Sequence, residues 1–154
     1  MAVVLLTLSG CATQKNLPAG STDRIAINAD LSTVSGRAAT TAAQQIGTPY
    51  SYGGATPKGF DCSGLIYYSY RQAGQAVPRT SAAQFSTAKR INLKDAKPGD
   101  LLFFATRKSV DHVAMYVGNN TFVHAPSSGK SVSVARITDT YYREHFVAAG
   151  RLSK

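Results

Sequence analysis

Two periods of apolar and polar positions divide the chain. Residues 35–47, SGRAATTAAQQIG, are rich in Ala and Gln, with Ser35 as a candidate N-cap and Gly47 as a stop, and predict a helix. A loop dense in Pro and Gly follows, TPYSYGGATPKG. Residues 61–74, DCSGLIYYSYRQAG, place Cys62, Leu65, Ile66, Ser69 and Ala73 on one face at three- and four-residue spacing, and Gly74 closes this second helix. A third is predicted over residues 81–90, SAAQFSTAKR, where Ser81 and Gln84 have capping-box spacing. The pattern then changes. KPGDLLFFA is a turn into an apolar run, and DHVAMYVGNNTFVHA is two short runs about Gly118-Asn119-Asn120, a hairpin signal. SVSVARI alternates strictly, and YYREHFVAAGRLS holds a short helix and a final strand. Helices first and a meander of strands after argue an α+β domain with an antiparallel sheet.

The first eleven residues break from both periods. MAVVLLTLSGC is an apolar run too short for a transmembrane helix, which needs about 20 apolar residues. It reads as the h-region of an export signal closing on small residues, although no Lys or Arg precedes it. Leu8-Ser9-Gly10-Cys11 resembles the bacterial lipobox, in which the signal peptide is removed before the cysteine and the cysteine is lipidated. The rival reading of residues 1–11 is a buried strand. Residues 12–33 are polar, without a sustained apolar period, and read as a flexible tether. Residues 34–154 are then the domain, long enough to bury a core without disulfides. Ala12, not Asp, follows the lipobox cysteine. The expected location is the cell envelope, lipid-anchored at Cys11 in the outer membrane and facing the periplasm.

Charge narrows the partners. The chain has 17 Lys and Arg against 8 Asp and Glu, a formal net charge of +9. Such a surface favours anionic partners: nucleic acid, acidic lipid or an anionic wall polymer. The charges are scattered, Trp is absent, and neither an RNA-binding signature nor zinc-finger spacing occurs, which argues against nucleic acid. With Cys11 lipidated, Cys62 is a lone thiol.

Cys62, His112 and His124 are the candidate chemistry. Cys62 opens a helix, where unpaired N–H groups and the helix dipole favour an anion, so its pKa is expected to fall and a nucleophilic thiolate to form. His112 opens one strand of the hairpin and His124 ends the next, so antiparallel pairing brings both to one edge of the sheet. One ring can pair with the thiolate while the other orients it, the logic of a triad. Two other readings stand beside this one. A buried Cys is usually inert core and a strand His usually structural. A Cys and two His also suit zinc with an open position, although no close ligand pair such as Cys-x-x-Cys or His-x-x-x-His occurs. His145, beside Glu144 on a surface helix, is given no role.

GTPYSYGG, FDCSG, VPRTSAAQF, KPGDLLFF, DHVAMYVGNNTFVHA and the downstream Tyr-Tyr together resemble the NlpC/P60 family of bacterial cell-wall cysteine peptidases, in family order across nearly all of residues 35–152. The lipobox resembles the family's lipoprotein members. The resemblance implies a stripped-down papain-like fold, with N-terminal helices packed on an antiparallel sheet. It implies Cys62 as nucleophile, His112 as general base and then acid, and His124 as the orienting third member. Tyr50 would lie by the nucleophile and help bind the oxyanion or substrate, with backbone N–H groups near Cys62. Asp61 and Ser63 would contact substrate. Asp61 suits a stem ammonium, and it is also a good N-cap. Arg79 reads as a solvated surface residue rather than a partner for a substrate carboxylate. Asp100 is expected to shape the Pro98-Gly99-Asp100 turn, and Gly64 to let the helix start pack closely. The implied activity is hydrolysis of peptidoglycan peptide stems or cross-links through an acyl-enzyme, with no metal or organic cofactor. The D-Ala–diamino acid cross-link is the preferred bond and the D-Glu–diamino acid link the alternative. The rivals are a same-fold amidase or acyltransferase, and a non-catalytic adaptor that binds wall peptides. The expected partners are peptide stems and, through Cys11, a membrane; regulatory envelope proteins stay unidentified.

Overall fold

A computed structural model describes residues 26–153. The expected signal run, Cys11 and the first part of the expected tether lie outside the described residues. Of that tether, residues 26–33 run onto the domain: Ile27 packs against the core, and Asp30 accepts from the N–H and hydroxyl of Ser32 at 2.9 and 2.6 Å.

Helix α1 spans Val34–Gln44. Its N-cap is Thr33, not Ser35: Thr33 Oγ1 accepts from the Gly36 N–H at 3.0 Å, while Ser35 already lies in the first turn. Ala38, Ala39 and Ala42 form its buried stripe. A short hairpin, β1 (Ala55–Thr56) and β2 (Gly59–Phe60), leads into α2, Cys62–Gln72, the helix expected from the apolar face. Leu65, Ile66 and Tyr70 of α2 are buried.

Helix α3 covers Ser81–Thr87 only. Thr80 caps it, accepting from the Ala83 N–H at 3.3 Å. The expected Ser81–Gln84 box does not form, because Gln84 is buried and its amide donates to the carbonyls of Ser63 and Pro78 at 3.0 and 2.8 Å. The last two residues of the expected helix, Lys89 and Arg90, instead open strand β3, Lys89–Ile91.

One antiparallel sheet follows: β4 Leu101–Phe104, β5 His112–Gly118, β6 Thr121–His124 and β7 Ser133–Arg136 make the expected meander. Helix α4, Thr140–His145, then returns the chain so that β8, Phe146–Arg151, pairs with the other edge of β4 and with β3. The strand order is β3-β8-β4-β5-β6-β7. Asn119 and Asn120 have φ of 52° and 58°, the paired left-handed residues that a tight hairpin turn demands.

Alternation sorts the side chains of the sheet. Phe103, Val113, Met115 and Val123 face α1 and α2 in one core. Leu102, Phe104, Ala114 and Phe122 form a second core with Tyr142 and Phe146. Strand β4 is covered on both faces, which is why Leu101–Phe104 is an unbroken apolar run. Asp100, 1% exposed, accepts from the Lys97 N–H at 2.7 Å and so closes its turn as expected. It also accepts two 2.7 Å bonds from Arg151 and thereby ties the start of β4 to the end of β8.

Candidate active site

The start of α2 is clamped by one carboxylate. Asp61 Oδ1 caps the helix, accepting from the Gly64 N–H at 2.6 Å, and Oδ2 accepts from the Gly53 N–H at 3.0 Å. Arg79 forks onto the same carboxylate at 2.9 and 2.8 Å, and also donates to Ser63 Oγ at 3.0 Å and to the Gly54 carbonyl at 3.2 Å. The sequence reading of Arg79 as a solvated side chain is therefore corrected. The guanidinium is about one-third exposed (34%), but its fork is committed to Asp61, and the match of planar fork to carboxylate holds it there. Gly64 is required by close approach: a Cβ at that position would run into the Gly54 carbonyl.

Cys62, the first residue of α2, is largely sequestered and packs against the main core. Burial pushes its thiol pKa up, and the Asp61 charge adds to that. The N–H groups of Val113, Ser63 and Cys62 itself pull it down without prevailing. The expected depression is thus reversed, because desolvation of the thiolate outweighs the helix-start donors. The Val113 contact sets the thiol against the backbone of β5, one residue from His112. No hydrogen bond joins the thiol to either imidazole among the described residues.

The two histidines do meet. The β5–β6 register pairs Met115 with Val123 and Tyr116 with Phe122, which places His112 and His124 on one face as diagonal neighbours. His112 Nε2 and His124 Nδ1 share a 2.9 Å hydrogen bond. His124, 2% exposed, places Nε2 3.3 Å from the Tyr142 hydroxyl. Phe104 and Phe122 wall the pair, with ring centroids 5.9 Å from His112 and 5.2 Å from His124. Burial lowers the His112 pKa to about 4, against a smaller opposing pull from Asp111. Burial, then the charges of His112 and Lys130, lower His124 to about 3. Both rings are neutral near pH 7. Their facing nitrogens are engaged with each other, so the pair is arranged as a relay rather than as converging zinc ligands.

Tyr50 sits in the loop before α2 and packs against the main core. Its N–H donates to the Lys130 carbonyl at 2.8 Å, and its backbone bridges Phe60. Burial raises its phenol pKa, and so do the charges of Cys62 and Asp61, which puts the hydroxyl within electrostatic reach of the thiol. An open cavity of about 710 Å³ adjoins His112 and His124 on the α4 side. Arg107, Lys130 and Tyr141 wall it, and so does His145, to which no role was assigned from its surface-helix position.

Three contributors escaped the sequence: Arg79, Gln84 and Tyr142. Arg79 reaches its partner across 18 residues, which leaves no local period. Gln84 lies where a cap was expected, and its burial comes from tertiary packing. Tyr142 is in the Tyr-Tyr pair that contributes to the family resemblance, but nothing local says that it meets His124.

A thiol on a helix start, set against a strand that opens with an imidazole, defines a papain-like α+β protein of the cysteine-hydrolase class. Residues 47–151 match the NlpC/P60 family, and the chain belongs to that family. It is 41% identical over 115 residues to Murein DD-endopeptidase MepH of Escherichia coli (strain K12), covering 71% of this chain and 42% of that relative. It is 38% identical over 109 residues to the Gamma-D-glutamyl-L-lysine dipeptidyl-peptidase of Bacillus subtilis (strain 168), covering 69% and 37%. A crystal structure of an NLP/P60-family protein similar to a lipoprotein, from Staphylococcus aureus, superposes with a TM-score of 0.71 at 34% identity, over 79% of this chain and 42% of the other. The chain spans about two-fifths of the length of these relatives.

Proposed function

We propose that this domain is a cysteine endopeptidase that hydrolyses peptidoglycan peptides, with Cys62 as nucleophile, His112 as base and His124 as the orienting group. The observation that carries the reading is the 2.9 Å bond from His112 Nε2 to His124 Nδ1, which leaves His112 Nδ1 as the nitrogen available to the neighbouring thiol. A base at Nδ1 requires the proton on Nε2. His112 then donates to His124 Nδ1, and His124 Nε2–H donates to Tyr142. His112 Nδ1 takes the thiol proton as Sγ attacks the amide carbonyl. The developing oxyanion is met by backbone N–H groups at the start of α2 and by the Tyr50 hydroxyl. The C–N bond breaks as the imidazolium protonates the departing amine, leaving a thioester. Water, deprotonated by His112, hydrolyses that thioester and restores the thiol.

The D-Ala–diamino acid cross-link is the preferred bond. Two observations favour it. The curated relatives include one named a murein DD-endopeptidase. Asp61, the acid suited to a stem ammonium, is already bridged by Arg79 and backbone donors. Asp61 and Ser63 then act first as the frame of the nucleophile turn and touch substrate through its backbone. The D-Glu–diamino acid cut is the second reading, favoured by the relative named for a γ-D-glutamyl bond. Lipidation at Cys11 and residence in the outer membrane, facing the periplasm, complete the proposal.

The test is a digest of cross-linked and uncross-linked muropeptides by wild type and Cys62→Ala, read by mass spectrometry. Monomers released from dimers by wild type alone are expected. Shortened stems from monomers would move the cut to D-Glu. Intact substrate throughout, with the thiol reduced, would favour the wall-peptide adaptor.

A further inference from the structure

An open cavity adjoins the histidine pair on the α4 side. In an acyl transfer the base that took the thiol proton returns it to the leaving nitrogen, so that nitrogen departs beside His112. The cavity is walled by His112 and His124 and not by Cys62. A residue whose nitrogen departs beside His112 has this cavity next to it.

Its walls carry two cations, Arg107 and Lys130, against one carboxylate, Asp111. Arg107 and Lys130 are exposed, and neither has an ion-pair partner among the described residues. The carboxylate on the wall, Asp111, is engaged by the N–H and hydroxyl of Thr106. The Lys130 charge is felt at the His124 ring. The Lys130 loop is fixed in place: its carbonyl accepts from the Tyr50 N–H at 2.8 Å, and the Val132 N–H donates to Thr48 at 2.8 Å. His145 lies on the same wall, its Nδ1 donating to the Tyr141 carbonyl at 2.7 Å. A cavity of this size holds an amino-acid residue with room to spare.

We infer that this cavity is the subsite for the leaving-amine residue, and that Arg107 and Lys130 select substrates with a carboxylate on the carbon bearing the scissile nitrogen. The inference rests on the peptidase reading above. Diaminopimelic acid has such a carboxylate when it is cross-linked through its second amine. Lysine cross-linked through its side chain has none, and an amidated diaminopimelate presents a neutral group there. Two cations beside a bound carboxylate discriminate against both.

The test uses cross-linked muropeptide dimers that differ only in this group: diaminopimelate, its carboxamide, and lysine. Wild type should show a kcat/KM for the carboxylate dimer about tenfold or more above the carboxamide dimer, as loss of a charge-assisted contact implies. In Arg107→Gln/Lys130→Gln that ratio should collapse toward one, mainly through a raised KM on the carboxylate dimer. Lys130→Arg, which keeps the charge, should retain the ratio and controls for damage to the loop. Equal turnover of all three dimers by wild type, or an unchanged ratio in the double variant, would overturn the inference and leave the peptidase reading standing. Absence of wild-type turnover on every dimer would overturn both.

Discussion

Cys62 starts α2 as a thiol rather than as a resting thiolate, because burial raises its pKa while the His112 imidazole stays neutral down to about pH 4. In the mechanism proposed for the pair, the proton therefore transfers during attack and no standing ion pair precedes it. Alkylation of Cys62 by iodoacetamide should be slow at pH 6 to 7 and rise only above the ordinary thiol range; full reactivity at pH 6 would mean an ion pair and would refute this. Turnover has the complementary acid limb. His112 must be unprotonated to accept the thiol proton, so the rate should hold as pH falls below 6.5 and drop through about 4. Beyond it, Tyr142→Phe removes the hydroxyl 3.3 Å from His124 Nε2 and leaves the ring in place. It should lower kcat by roughly three- to tenfold with KM little changed, on the scale of one modest hydrogen bond in the relay. A change in KM alone would make Tyr142 a binding group instead.

At the scale of elements, the start of α2 is held by a clamp whose parts come from three segments: Gly53 and Gly54, Asp61 to Gly64, and Arg79. Arg79→Ala should lower stability by about 1–2 kcal/mol, the discounted value for a partly exposed charge-assisted pair. It should also reduce kcat by loosening the start of α2, and Arg79→Lys should restore only part because it cannot fork. Urea denaturation and kinetics on the same variants separate the two effects; stability and rate both at wild-type level would remove the clamp. The helix itself was legible, since the three- and four-residue spacing of Leu65, Ile66 and Ser69 records its buried face. So were the hairpin and the meeting of His112 with His124, because period-two alternation fixes which side chains share a face. The cap of α2, Asp61, was legible too, but those of α1 and α3 were not: Ser35 and Ser81 are as good in type as Thr33 and Thr80, and only backbone geometry chooses between them. Nor was the end of α3, where pairing of Lys89–Ile91 with residues 149–151 of β8 overrides local helix preference.

For the molecule as a whole, placing two imidazoles inside the sheet's second face makes its stability depend on pH. In the unfolded chain each His titrates near 6.5, whereas in the fold they titrate near 4 and 3. Between those values the unfolded state binds protons that the folded state refuses, so stability is full above pH 6.5 and is lost as pH falls toward 4. The shift at His112 alone corresponds to roughly 3 kcal/mol once the pH is below 4, a large part of a total that is typically about 5–15 kcal/mol. Asp111, held below the ordinary carboxylate range by its bonds to Thr106, acts in the same direction, but only in the more acid window below pH 4. The Asp100–Arg151 pair sets the level from which this fall begins. Asp100→Ala leaves the Arg151 guanidinium and the Lys97 N–H without their acceptor where β4 meets β8, and should cost about 1–2 kcal/mol at neutral pH, discounted because Arg151 is partly exposed. Urea midpoints at pH 7, 5.5 and 4.5 test both claims together. Wild type should lose stability steadily across the series, and His124→Asn should flatten the slope because one buried titration is gone. Asp100→Ala should lower every midpoint by a similar amount without changing the slope. A wild-type curve flat from 7 to 4.5 would mean that the imidazoles charge freely in the fold, and the neutral relay assigned to them would fall with it.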